Sequence, residues 1–168
     1  MSFLWMSDEV AAQFFRDVSQ LEYTAENQRR NDFRSRDSWE MRLFDAWGHC
    51  FMGAAATRDL GEPGAWFLGG GSEVLHEGLS WLTIGLLGHD SIQQDTYNQA
   101  VGRSLGTRHP TGDLGPLCFT AMIDGRLDLT LAGIPRGTHL HRVPVAAAAA
   151  RPVRPRIEEW RRRRGTSA

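Results

Sequence analysis

Residues 37–61 read DSWEMRLFDAWGHCFMGAAATRDLG, and this stretch decides the fold class. Asp37 or Ser38 can accept hydrogen bonds from the first free N–H groups of a helix, and Gly61 supplies a stop, so the span is expected to be one helix. That helix carries Asp45, His49 and Cys50. Ala54, Ala55 and Ala56 follow, with Gly48 and Gly53 nearby, and such small side chains let a neighbouring element approach closely.

On the N-terminal side, Ser7 can cap a helix running to about Arg30, because Val10, Phe14, Val18 and Leu21 recur at the three- and four-residue steps that share one helical face. The polar run 27–36 (NQRRNDFRSR) reads as loop. On the C-terminal side, Pro63 suits the first turn of a third helical segment, and Gly69, Gly70 and Gly71 are expected to break it before Glu73 to Trp81 resume. Asp90 or Ser91 caps a fourth helix through about Leu105, which Gly106 ends, and 107–116 reads as loop. Leu117–Ile123 and Arg126–Leu131 flank Asp124-Gly125, the dipeptide favoured in tight hairpins. The expectation is a mainly α, compact helical domain over 1–142 with one small β-hairpin. A mobile, Pro/Ala/Arg-rich tail over 143–168 completes the chain.

Composition bounds the function classes. With 168 residues and 41% hydrophobic content the chain can bury one proper core. Its longest apolar stretch, Gly78 to Gly88, is about half of the roughly 20 residues that cross a bilayer. The N-terminus MSFLWMSDEV has no basic region ahead of its apolar residues, so it does not read as a secretory signal peptide. That implies synthesis in the cytoplasm, with any delivery through a machine that needs no cleavable signal. The net charge of −1 hides an asymmetry, for eight Arg against Glu158 and Glu159 put +6 on residues 142–168 and leave −7 on 1–141. The basic tail could meet phosphates, but the acidic body carries no basic patch interleaved with aromatics, which argues against a nucleic-acid partner. Cys50 and Cys118 can form at most one disulfide.

Three groups of residues could carry chemistry. Asp45 and His49, at i and i+4, place a carboxylate beside an imidazole that can act as general base. Glu73 and Glu77 share a second face that His76 borders, and two buried acids side by side would raise one pKa, as an acid catalyst requires. EVLHE lacks the second His of the HExxH zinc helix, so metal binding stays open. Asp95, Asn98, Gly102 and Arg103 form a polar stripe on the fourth helix, with a glycine that asks for close packing or ligand approach. Each group has a bland alternative: a surface ion pair, exposed acids, a capped helix. Cys50 in an alanine-rich helix reads as buried filler, and its side chain diverges from that of His49 by about 100°.

In order and spacing, Asp45-Ala-Trp-Gly-His49, then His76-Glu77, then Asp95-x-x-Asn98-Gln99-x-x-Gly102-Arg103 resembles a family of bacterial domains of unassigned activity. Those domains often form the C-terminal toxin of polymorphic effectors, including proteins with RHS repeats and type VI secretion cargo. The family pattern is D-A-[FYW]-R-H, then H-E, then D-x-x-N-N-x-x-G-R. It covers about residues 45–106 and differs here at Gly48, which replaces Arg, and Gln99, which replaces the second Asn while keeping the amide.

The resemblance implies an antibacterial effector domain, a hydrolase of some target-cell component, with a cognate immunity protein and a secretion-machine carrier as partners. In that reading His49, Asp45, Glu77 and Asp95 are catalytic, and His76, Asn98, Gln99, Gly102 and Arg103 position the substrate. The alternative is a non-catalytic membrane-active or partner-binding domain in which the same stripe is a structural network.

Overall fold

The computed structural model describes residues 7–22, 39–83 and 89–142, with backbone alone for 8, 22, 70–83 and 89–91. Ser7 caps helix α1 (Asp8–Val18): its backbone is extended and its hydroxyl accepts from the Val10 N–H at 3.3 Å. The expected face is the buried one, since Phe14, Val18 and Leu21 are buried and Val10 packs against them. The helix stops well short of Arg30. Ser19 returns its hydroxyl to the Arg16 carbonyl at 2.7 Å, a bond that competes with further helix, and Leu21–Glu22 form strand β1. The rest of that expected helix, the 27–36 loop and the Asp37 or Ser38 cap lie outside the described residues.

Helix α2 (Trp39–Thr83) is α-helical except at Gly61, whose φ of 73° and ψ of 168° only glycine adopts cheaply. The expected stop is thus a break between two arms. Pro63 sits in the first turn of the second arm, where a missing N–H costs nothing. The break expected at Gly69–Gly71 does not occur, for the backbone stays helical to Thr83. Packing accounts for Gly69: it lies against the Gln99 side chain of the next helix with no room for a Cβ.

That next helix, α3 (His89–Arg108), makes its most extensive contact with α2. Gly102 rests on the Cys50 carbonyl, Gly106 on that of Ala54, and Gly53 on that of Gln99; a Cβ at any of the three would strike backbone. The neighbour expected to approach α2 closely is therefore α3. Gly106, expected to end this helix, lies within it for the same reason, and the helix starts at His89, ahead of the expected caps.

The expected hairpin around Asp124-Gly125 is instead the end of helix α4 (Leu114–Ile123), capped by Asp113, whose Oδ1 accepts from the Gly115 N–H at 3.1 Å. Gly125, at φ 69°, donates to the Met122 carbonyl at 3.1 Å and Arg126 to the Ala121 carbonyl at 2.9 Å, the paired closure known as a Schellman motif. Leu114, Cys118, Phe119, Ala121 and Met122 are buried at helical spacing, so the core selects helix over strand for a run that periodicity leaves ambiguous.

Beyond α4 the chain runs irregularly through a short 3₁₀ turn (Thr130–Ala132) to strand β2 (His141–Arg142), which pairs antiparallel with β1 through Leu21↔Arg142 and Glu22↔His141. The tail 143–168 lies outside the described residues. The core is aromatic: the Phe14 ring lies 4.8 Å from Trp47, 5.2 Å from Phe44 and 6.0 Å from Phe119, and Phe15 stacks on Phe44 at 5.0 Å. Among the described residues no helix is long and apolar enough to cross a membrane.

Candidate functional site

Helix α3 presents two polar rows in different directions, and α2 meets one of them. Asp95 and Gln99, one turn apart, turn toward the first arm of α2, where Asp45 and His49 stand one turn apart. The glycine contacts bring the backbones close enough for these short side chains to meet. His49 Nε2 lies 3.4 Å from Asp95 Oδ1 and 3.9 Å from Asp45 Oδ1. On the opposite edge of the ring, His49 Nδ1 is 3.2 Å from Gln99 Nε2.

With the Gln99 amide donating to Nδ1, a neutral His49 carries its proton on Nε2, facing the carboxylates. The imidazole thus has both nitrogens oriented by groups on α3. Burial grades across the cluster: Gln99 is fully enclosed, while the side chains of His49 and Asp95 are each 15% exposed and that of Asp45 is 44% exposed. The cluster opens to solvent at Asp45. Gly69 walls it on the side of Gln99, and the Arg103 guanidinium lies beside that glycine.

The second row faces away from His49. Asn98 is buried and uses its whole amide on the backbone of Asp128, donating to the carbonyl at 3.0 Å and accepting from the N–H at 2.8 Å. Gln94, one turn earlier, accepts from the Leu131 N–H at 3.0 Å, and Arg42 of α2 donates to the Leu131 carbonyl. The 128–131 segment is held by side chains where a sheet would use backbone. Asp128 itself is buried. Burial alone would push its carboxyl up, but bonds from Arg136 and from the hydroxyl and N–H of Thr130 outweigh that and hold its pKa below the usual carboxylate range.

Of the residues expected at the site, Asp45, His49, Asp95 and Gln99 therefore come together, with Arg103 at the edge. Asn98 and Gly102 are spent on structure, one as the clasp on Asp128 and the other as the contact with Cys50. The side chains of Glu73, His76 and Glu77 lie outside those described, and the acid pair and H-E motif expected there lie outside them too. Cys50 is fully buried as a free thiol, and the hydrogen bond its S–H donates to Cys118, together with burial, pushes its pKa well up, which removes it as a nucleophile. His109, His139 and His141 are exposed and do not belong to the group of side chains around His49.

Gln94, Asp128, Arg136 and Arg42, which hold the 128–131 segment and its surroundings, were not legible in the sequence, although the i, i+4 amides of Gln94 and Asn98 hint at a second polar row. A separate cavity of about 310 Å³ opens between α1 and α4 over Phe14, Trp47 and Phe119, with Glu9, Asp17 and Asp113 among its lining residues. It does not reach His49. Set against protein-family models, curated proteins and solved structures, the chain matches none of them.

Proposed function

We propose that this chain is an effector-type toxin domain that hydrolyses a component of a target cell, with its reaction centre at Asp45, His49, Asp95 and Gln99. The observation that carries the reading is the state of His49: an imidazole gripped at Nδ1 by a buried amide and faced at Nε2 by two carboxylates, from two helices, in a cluster that opens to solvent at Asp45. A structural histidine needs no second carboxylate and no opening. A hydrolase needs a group that activates water, something that orients that group, and access for substrate.

In this reading the cluster activates the water, Gln99 fixes the ring, and Arg103 attracts an anionic part of the substrate. The order of Asp45, His49, His76, Glu77, Asp95, Asn98, Gly102 and Arg103 along the chain supports an effector of the polymorphic-toxin kind, carried by a secretion machine and paired with an immunity protein. The test is a growth assay with the protein directed to cytoplasm or periplasm, run beside thermal melts of the same proteins. Toxicity should vanish in folded His49→Ala and Asp95→Ala variants; folded variants that stay toxic would overturn the reading.

A specific observation favours a second reading, a membrane-active or partner-binding domain. Trp66 is 64% and Phe67 72% exposed on the second arm of α2, with Leu60 and Leu68 nearby. In that case Trp66→Glu with Phe67→Glu should abolish toxicity while His49→Ala leaves it intact.

A further inference from the structure

We propose that Asp45, His49 and Asp95 form a binding site for one divalent transition-metal ion, of the zinc or manganese class. The inference rests on the hydrolase reading only for its purpose, since the site is argued from its own geometry. Their ligand atoms, one imidazole nitrogen and two carboxylate oxygens, all lie within 4.8 Å of one another. Two come from one turn of α2 and the third from α3, so the juxtaposition is a product of the helix packing at Gly53, Gly102 and Gly106 rather than of sequence spacing alone.

The distances suit a ligand set as well as a loosely hydrogen-bonded cluster. An N–H···O bond has a usual length of about 2.7–3.2 Å. Ligands bound about 2.0–2.2 Å from a tetrahedral ion stand about 3.3–3.6 Å from each other. His49 Nε2 to Asp95 Oδ1, at 3.4 Å, falls in the second range, and the 3.9 Å to Asp45 Oδ1 needs only a small movement of an exposed carboxylate to join it.

The surroundings fit the same assignment. A metal-bound histidine commonly has its other nitrogen held by an oxygen acceptor, which fixes the ring and the tautomer. Gln99 stands at Nδ1, and half a turn of its amide presents Oε1 to an Nδ1–H, leaving the Nε2 lone pair for the ion. Gly69 leaves room for the Gln99 carboxamide, which a side chain at that position would push aside. One nitrogen and two hard oxygens suit an ion of intermediate softness, and three protein ligands leave a position for water. A bound ion lowers the pKa of that water and so supplies the activation that the hydrolase reading requires.

The experiment is calorimetric titration of the full chain, freed of any histidine tag, with zinc chloride and separately with manganese chloride. The expected result is one ion per chain, accompanied by a metal-dependent rise in melting temperature. Asp95→Asn and Asp45→Asn should each weaken the affinity by at least tenfold, and Gln99→Ala by about 10- to 100-fold, the usual cost of removing an outer-shell partner. Asp45 is exposed enough that its variant tests the site even where Asp95→Asn does not fold. No binding of either ion overturns the proposal, and so does binding that the Asp45→Asn and Asp95→Asn variants leave unchanged, which places the ion elsewhere. Binding is read without any toxicity assay. A metal-free chain whose toxicity still depends on His49 sinks the ion and keeps the hydrolase, whereas a metal-binding chain whose toxicity ignores His49 does the reverse.

Discussion

Asn98 and Asp95 stand less than one turn apart on α3, yet their replacement should have opposite results. Asn98→Ala leaves the buried N–H and carbonyl of Asp128 without partners, at a cost of about 1–3 kcal/mol for each orphaned group, and thermal melts should show a large drop. Asp95→Ala should leave stability nearly unchanged or slightly raised, because polar residues at functional sites are commonly retained against stability, and it should remove toxicity. A marked loss of stability in Asp95→Ala would mean that the cluster is a structural network. Asp45 and His49 were legible because their relation is local, four residues on one helix. The meeting with Asp95 joins two helices and was an expectation only through the resemblance, which makes both residues catalytic. Gln99 entered only through the resemblance, and the partner of Asn98 lies 30 residues further along the chain, beyond any periodicity.

At the scale of elements, glycine separates what the sequence disclosed from what it concealed. A glycine that must take a positive φ and a glycine that must let backbone approach look alike in a sequence. Gly61 was read correctly as a stop because it takes the first role; Gly106 and Gly69 take the second, and were misread as an end and a break. Asp124-Gly125 takes the first role in an unexpected setting, a helix end instead of a hairpin. Gly125→Ala tests this. The positive φ alone should cost about 1–2 kcal/mol, and the added Cβ would also stand 2.8 Å from the Gly137 backbone, so the urea midpoint should fall clearly. A hairpin glycine at this position, free of Gly137, would not incur the second cost. Helix existence was legible for α1 from apolar spacing and its Ser7 cap, and for α2 and α3 from start and stop residues, although those expected for α3 fall inside the helix. Helix α4 was not, because its short apolar run satisfies strand and helix alike until the core around Cys118 and Met122 decides.

The whole molecule depends on Asp128 for the long irregular return from α4 to β2, and that dependence has a pH signature. Its carboxyl titrates lower in the folded chain than in the unfolded one, so the stability it contributes is complete above the unfolded value of about 3.9 and fades as pH falls through the folded pKa. Asp128→Asn should be less stable than the wild type at neutral pH, and the gap should narrow below about pH 4; a constant gap down to pH 2 would show that the charge is immaterial. The pairing of Leu21–Glu22 with His141–Arg142 reaches further. It ties the residues that follow α1 to the end of the described chain with two residues on each side, and so closes the chain between 22 and 141 into a ring. Ring closure over so long a span is entropically late, whereas α2 and α3 are successive elements and can dock early. The clasp should then be the last part to form and the first to open. Amide hydrogen exchange reads this directly: protection along the α2–α3 contact should approach that of global unfolding, and the four strand amides should exchange through a smaller, local opening. Equal protection at both places would make the ring and the helical core one cooperative unit.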